Sequence, residues 1–191
     1  MTATTTEAAL IFDCDGTLAD SMPAHYLAWQ DVLGPLKMTF PEQRFYALGG
    51  VPTAKIAAIL LGEAPHQSID VPALVHAKEQ AFLARIAAVT PIEKVVAIAR
   101  AARGTLPMAV ASGGRRPLVE LTLRNIGILD WFDTVVTAED TTRHKPDPDV
   151  FLEAARRLGV VPAGCTVYED TEAGFEAARS AGMRVVDVRT L

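Results

Sequence analysis

The sequence predicts an α/β protein, a doubly wound parallel sheet carrying a small inserted all-helical segment, and three observations support that prediction. Five short apolar, β-branched runs are spread along the chain: "ALIFD" ending at Asp13, "PMAVAS" ending at Ser112, "DTVVTAED" ending at Asp140, "CTVYED" ending at Asp170, and "MRVVDV" near the C-terminus. Continuous apolar strands of this length suit a parallel sheet covered on both faces. Helical patterns separate the later four runs, and the long interval after the first run holds helical patterns only.

Taken in order, the chain starts with "MTATTTEAAL", which has neither the basic segment nor the apolar stretch of a secretory signal and reads as a short flexible leader. Between Ala19 and about Val89 no strand is convincing; "SMPAHYLAWQDVLG", "PEQRFYALGG", "PTAKIAAILLG" and "VPALVHAKEQAFLARIAA" are all helix-like. The expected organisation is an α/β core from residues 1–18 and 90–191 and a helical second domain, placed over the sheet, from residues 19–89. The next helix, "PIEKVVAIARAARG", has Pro91 near its start and Gly104 past its end, and three further helices close on Gly127, Gly159 and Gly182. In open α/β sheets ligands bind at the carboxyl ends of the strands, which is where the insert leaves and returns.

The chain has 191 residues, half of them hydrophobic and 21% charged, with a formal net charge of −5, which describes one sizeable core rather than a disordered chain. Nucleic acid is not an expected partner, because the densest basic stretch is only "GGRRP". No run approaches the roughly 20 apolar residues of a membrane span. Two cysteines are too few for a disulfide framework, and a reducing cytoplasm is the simplest setting, with a monomer as the default.

Four of the five strands end in groups able to do chemistry: Asp13 with Asp15, Ser112, Glu139 and Asp140 shortly before Lys145, and Glu169 with Asp170. Any one of these could be a turn or helix-cap residue; their convergence at one sheet edge is harder to explain that way. Side chains alternate along an extended segment, so Asp13 and Asp15 share a face while Cys14 points away. As many as four acids at one edge repel unless a cation relieves them, and Mg²⁺ suits oxygen ligands, retained waters and a substrate phosphate. Ser112 precedes Gly113 and Gly114 and then a helix with Pro117 in its first turn, an arrangement open to an anion. Lys145, in "HKPDPD", is either a solvated loop lysine or a fixed positive charge, worth roughly 4 kcal/mol to an anion at about 4 Å and an effective dielectric near 20.

The motifs "DCDGT", Ser112, "KPDPD" and "YEDTEAG", in that order and spacing, resemble those of the haloacid dehalogenase-like phosphotransferases along nearly the whole chain. The helical insert resembles the cap of the branch that contains β-phosphoglucomutase and small sugar-phosphate phosphatases, and "GGVPTAKI" and "AGMRVVDVRTL" look most like the fructose-1-phosphate phosphatase type. The resemblance implies a Mg²⁺-dependent phosphatase for a small phosphorylated sugar. Asp13 would be the nucleophile and Asp15 the general acid and base. The metal would rest on Asp13, the carbonyl of Asp15, Asp170 and either directly or indirectly Glu169, with Ser112 and Lys145 holding the phosphoryl group. Thr17 would support the loop or bond the first aspartate, and a capping role is equally open. His25 and Lys78 fall where related caps place a histidine and a cation, and Gly113 and Arg115 are candidate phosphate or substrate contacts. Arg44, Lys55 and His76 read as surface residues. Where the mutase keeps a cap arginine for its second phosphate, this chain has Pro52 and Thr53, which favours hydrolase over mutase, although Lys55 or Arg115 could substitute.

Overall fold

The computed structural model describes residues 7–65 and 67–191, so the first six residues of the expected leader lie outside the described residues. Its first strand, β1 (Ala9–Phe12), is buried at every position, as a continuous apolar run demands. The chain then forms a two-residue strand, β2 (Ala19–Asp20), and four helices: α1 (Met22–Leu33), α2 (Glu42–Ala47), α3 (Thr53–Glu63) and α4 (Val71–Leu83). It returns through β3 (Thr90–Pro91), α5 (Glu93–Ala102), β4 (Met108–Ala111), α6 (Arg116–Asn125), β5 (Thr134–Val136), α7 (Asp149–Leu158), β6 (Cys165–Glu169), α8 (Glu172–Ser180) and β7 (Arg184–Asp187).

Among the described residues the main sheet has five strands in the order β5-β4-β1-β6-β7, and every pairing is parallel. β1 is central, with Leu10 opposite Met108 on one side and Thr166 on the other. Alternation along β1 divides the core. Ala9 and Ile11 pack with Val150, Phe151, Ala154 and Ala177 of α7 and α8, whereas Leu10 and Phe12 pack with Val95, Ala99, Val119 and Leu123 of α5 and α6. This is the doubly wound arrangement the strand and helix spacing predicted. Cys14 belongs to the second of these clusters, a small buried filler whose thiol is pushed well up, first by burial and then by the neighbouring aspartates.

Two expectations need correction. β2 and β3 pair antiparallel, with Ala19 opposite Pro91, so a short ribbon stands where no strand was expected; two residues are too few to leave a period in the sequence. The strand expected to run to Asp140 stops at Val136. Thr137 caps a 3₁₀ turn over Ala138–Asp140, and the Asp140 carboxylate accepts from the Thr137 amide at 2.8 Å and its hydroxyl at 3.0 Å, which diverts the backbone from the ladder.

The four helices between the ribbon strands share a core of their own, with Trp29, Leu33, Phe40, Phe45, Leu60 and Leu74 at its centre. α1 opens on Pro23 in its first turn, and Asp70 caps α4 by accepting from the Ala73 amide at 2.8 Å. A smaller cluster of Ala24, Ala28, Phe82 and Val89 is packed against Leu118 and Ile126 of the sheet layer, which seats α1 and α4 over α6.

Candidate active site

Parallel pairing brings the carboxyl ends of β1, β4 and β6 side by side, and Asp13, Ser112 and Glu169 at those ends meet there. Asp13 follows β1 directly, its amide donating to Tyr168 O at 3.0 Å. Lys145 reaches in from the segment before α7 and donates to Asp13 Oδ1 at 2.6 Å, Glu169 Oε2 at 2.7 Å and the Ala111 carbonyl at 3.2 Å. With 3% of its surface exposed it is no solvated loop lysine. Burial alone would lower its pKa, but the carboxylates of Asp13 and Glu169 outweigh burial and hold it above the ordinary lysine value.

Glu169 is fully buried and saturated. Besides Lys145 it accepts from the Asp170 amide at 3.1 Å, the Thr171 amide at 3.0 Å and the Thr171 hydroxyl at 2.8 Å. Thr171 in turn accepts from the Gly174 amide at 3.0 Å and so caps α8. Gly174 is required at that point, because a Cβ there would lie 2.0 Å from Glu169 Cδ. Gly174→Ala should therefore displace the carboxylate from Lys145 and cost about 1–3 kcal/mol of stability as an overpacked position; a denaturant melt within 0.5 kcal/mol of the parent would contradict this.

Asp13, Glu169 and Asp170 each offer an oxygen within 4.8 Å of the others. Burial pushes the Asp13 carboxyl well above its ordinary value, against the pull of Lys145 and with help from Glu169 and Asp170. Asp170 is pushed up to about 7, chiefly by burial and then by Glu169, although Thr17 Oγ1 donates to its Oδ1 at 3.0 Å. Two buried carboxylates thus share one ammonium, with the partly buried Asp170 beside them. Their residual repulsion, and their hard oxygen donors, fit a divalent cation of the Mg²⁺ kind. Gly16, at φ +86°, supplies the close approach: a Cβ on it would meet Asp170 Oδ2 at 2.4 Å.

Asp15 faces a different set of partners. Its Oδ1 accepts from Ser21 Oγ at 2.5 Å and lies 3.3 Å from His25 Nε2. Lys78 Nζ is 2.7 Å from His25 Nδ1, so the ammonium donates to that nitrogen and the other ring nitrogen carries the hydrogen towards Asp15. His25 stacks on Phe82 with ring centres 3.8 Å apart. Burial works to raise the Asp15 pKa, but His25, Ser21 and Lys78 outweigh burial and hold it at about 2; burial and Lys78 lower that of His25. Lys78 is itself brought down to about 8, mainly by burial. Its folded form therefore releases a proton at lower pH than the unfolded chain does, near 10.4. The unfolded state binds more protons between those values, so this group makes the protein more stable as pH rises from about 8 to about 10. Between pH 7.5 and 9.5 the change in melting temperature should be more favourable in the parent than in Lys78→Met; an equal change in both would contradict the assignment.

Asp13, Asp15, His25, Lys78, Ser112, Gly113 and Arg115 all border one cavity between the sheet edge and the helices. Thr17, fully buried, sits off that cavity against Asp170 rather than against the first aspartate. Ser112 Oγ accepts from the Gly114 amide at 3.0 Å, and Gly113 approaches Gly50 so closely that a Cβ would meet its carbonyl at 2.7 Å. The α6 terminus is less open than expected: the Arg116 amide donates to Glu139, at 3.1 Å to Oε2. Glu139 and Asp140, which sequence position placed at the site, are instead bound to arginines; Arg116 and Arg157 hold Asp140 at 2.5 and 2.7 Å, and pairing with Arg115 and Arg116 occupies Glu139. Arg44 pairs with Glu63 at the exposed surface, as a surface reading expects.

Sequence reasoning missed Ser21, Thr171 and Glu79. Ser21, before Met22-Pro23, has the position of a helix cap and so gave no sign that its hydroxyl turns back to Asp15. Glu79 adjoins Lys78 but crosses to Arg115, with Nη1 donating to Oε2 at 2.8 Å.

A parallel sheet with a helical insert, acids gathered at the strand ends and a buried lysine between them define a class: the chain belongs to the haloacid dehalogenase-like hydrolase family, whose pattern matches residues 10–188. Its relatives include fructose-1-phosphate phosphatase YqaB of Escherichia coli (strain K12), 40% identical over 185 residues, which cover 96% of this chain and 97% of that one. β-Phosphoglucomutase of Bacillus subtilis (strain 168) is 32% identical over 188 residues, covering 94% of this chain and 82% of the relative. Among solved structures, CbbY from Rhodobacter sphaeroides in complex with phosphate superposes with a TM-score of 0.83 at 25% identity, over 94% of this chain and 85% of that one.

Proposed function

We propose that this protein is a Mg²⁺-dependent phosphatase that hydrolyses a small phosphorylated sugar, with fructose 1-phosphate the first candidate, by way of an aspartyl-phosphate on Asp13. The observation that supports it best is the division of labour between the two aspartates. Asp13 is bound to Lys145 and backed by Glu169, while Asp15, two residues on, is turned towards Ser21 and His25 and still borders the same cavity. The 40% identity to YqaB over nearly both full chains adds the substrate class.

In this reading Asp13 attacks phosphorus, and the sugar oxygen leaves with a proton from Asp15. Asp15 then takes a proton from the water that opens the aspartyl-phosphate. Its carboxyl, held at about 2, is ionised in the described arrangement, which suits the second step; protonation for the first must accompany substrate binding. Lys145 and Ser112 neutralise and orient the transferring group. Asp13, Asp170, the Asp15 carbonyl and, through its neighbours, Glu169 would hold the metal, which supplies positive charge for the phosphate oxygens. Residues 19–89 would act as a cap: α1 and α4 place His25 and Lys78 over the cavity, and its apolar lining, including Trp29, Phe45 and Leu118, suits the carbon skeleton of a sugar. The two cysteines are both buried and unpaired, in keeping with a reducing compartment, and among the described residues no helix is long and apolar enough to cross a membrane.

The test is phosphate release from a panel of sugar phosphates with Mg²⁺. Release should fall by about 100-fold or more in EDTA, the scale of losing electrostatic stabilisation of the transferring group, and recover when Mg²⁺ is returned. No release from any ester would end the phosphatase reading. The similarity to β-phosphoglucomutase makes a mutase the second reading. Isomerised sugar phosphate, formed from hexose 1-phosphate and a bisphosphate activator without free phosphate, would favour it.

A further inference from the structure

Lys78 and Glu79 are neighbours on α4 but serve different partners. Lys78 reaches His25 within the insert, whereas Glu79 crosses to the loop after β4 and holds Arg115 at 2.8 Å, with Glu139 on the same guanidinium at 3.5 Å. The Glu79 side chain is only 10% exposed, and its Oε1 is buried without a hydrogen-bond partner among the described residues. A buried carboxylate oxygen without a donor is costly, so this ion pair is poorly explained as a device for stability alone.

Its position suggests another use. Arg115 borders the cavity that holds Asp13 and Asp15, and among the described residues bordering it the other lysine or arginine is Lys78, engaged by His25. A free guanidinium there would be a bidentate receptor for a second phosphate or carboxylate on the substrate. Two carboxylates on Arg115 instead outnumber its single positive charge, beside apolar walls such as Met22, Leu48 and Val51.

We propose that Glu79 is a charge-selectivity residue: by holding Arg115 it denies that guanidinium to a second anionic group, so the site takes a monophosphate ester with an uncharged body and rejects bisphosphates. Discrimination by an unfavourable element built against the wrong ligand is a recurrent route to specificity. The proposal rests on the phosphatase reading, and it gives a physical reason why Arg115 does not stand in for the cap arginine this chain lacks.

The experiment measures affinity for a hexose 1-phosphate and the matching 1,6-bisphosphate by calorimetry in the full chain with Mg²⁺, using Asp13→Asn so that neither ligand is consumed. Adding Glu79→Gln should shift the ratio of dissociation constants towards the bisphosphate by about tenfold or more, the scale of one charge-assisted hydrogen bond made available. Arg115→Gln added to Glu79→Gln should erase the gain. The ratio cancels a general loss of fold or affinity. An unchanged ratio, an equal change for both ligands, or no binding of the bisphosphate by any variant overturns the proposal. Failure of the phosphatase reading is seen separately, as the absence of phosphate release by the enzyme with Asp13 intact, and the affinity ratio decides the role of Glu79 in either case.

Discussion

Asp13→Asn is expected to abolish turnover, lowering phosphate release by roughly 10⁴-fold or more, the scale seen when a nucleophile that acts with its partners is removed. The carboxamide has nearly the same shape but cannot attack phosphorus. Its effect on folding should be small or favourable, because the substitution removes one of the two buried acids that share the Lys145 ammonium, beside a third at Asp170. Lys145 keeps Glu169 at 2.7 Å as its partner. Steady-state phosphate release and a thermal melt on the same sample separate the two effects. A variant that keeps a tenth of the parent activity would show that Asp13 is not the attacking group. Trapping the parent enzyme with beryllium fluoride should place the adduct on Asp13, and an adduct elsewhere would exclude the proposed intermediate.

Lys145→Ala has the second largest expected effect, and here activity and stability fall together. A solvated loop lysine would leave the melting temperature where it was. Lys145 is 3% exposed and bridges Asp13 and Glu169, which are 6% and 0% exposed, so its removal strands buried carboxylates without a counter-charge. Breaking a buried pair from one side costs about 3–5 kcal/mol, which corresponds to roughly 6–20 °C in a domain of this size. Protonation of Asp13 would absorb part of that cost, so the destabilisation should shrink as pH is lowered towards the raised Asp13 value. Melting of Lys145→Ala and the parent across pH 5 to 8 tests this. An unchanged melting temperature with near-normal kinetics would mean that the lysine neither holds the acids nor contacts the substrate.

The contrast between these two variants shows which parts of the site could be read from residues. The doubly wound sheet was legible because burial on both faces demands unbroken apolar runs, and burial leaves a local mark: "ALIF" and "MAVA" are buried at every position. The acids at the strand ends were legible for a related reason. In parallel strands the ends that follow such runs all lie at one edge, so Asp13, Ser112 and Glu169 converge whatever the order of the strands.

The errors were of the opposite kind. Glu139 and Asp140 satisfy the same local rule as Asp13, yet the arginines at positions 115, 116 and 157 bind them and they take no part in the acid cluster. Lys145 meets the acids as its motif implies, but the loop sequence around it, taken alone, equally suits a solvated lysine.

By itself the sequence determined the sheet, the helical insert after its first strand and the group of acids at one edge, because periodicity and composition record whether each position is buried. Only the tertiary structure decided which charge meets which: Thr17 with Asp170 across 153 positions, Lys145 with Asp13 across 132, Lys78 with His25 across 53, and Glu79 with Arg115 across 36. Burial is a property of one residue and its near neighbours along the chain. A contact between side chains is a property of a distance in space between residues far apart in the chain, set by how the elements pack, so it leaves no local pattern in one sequence.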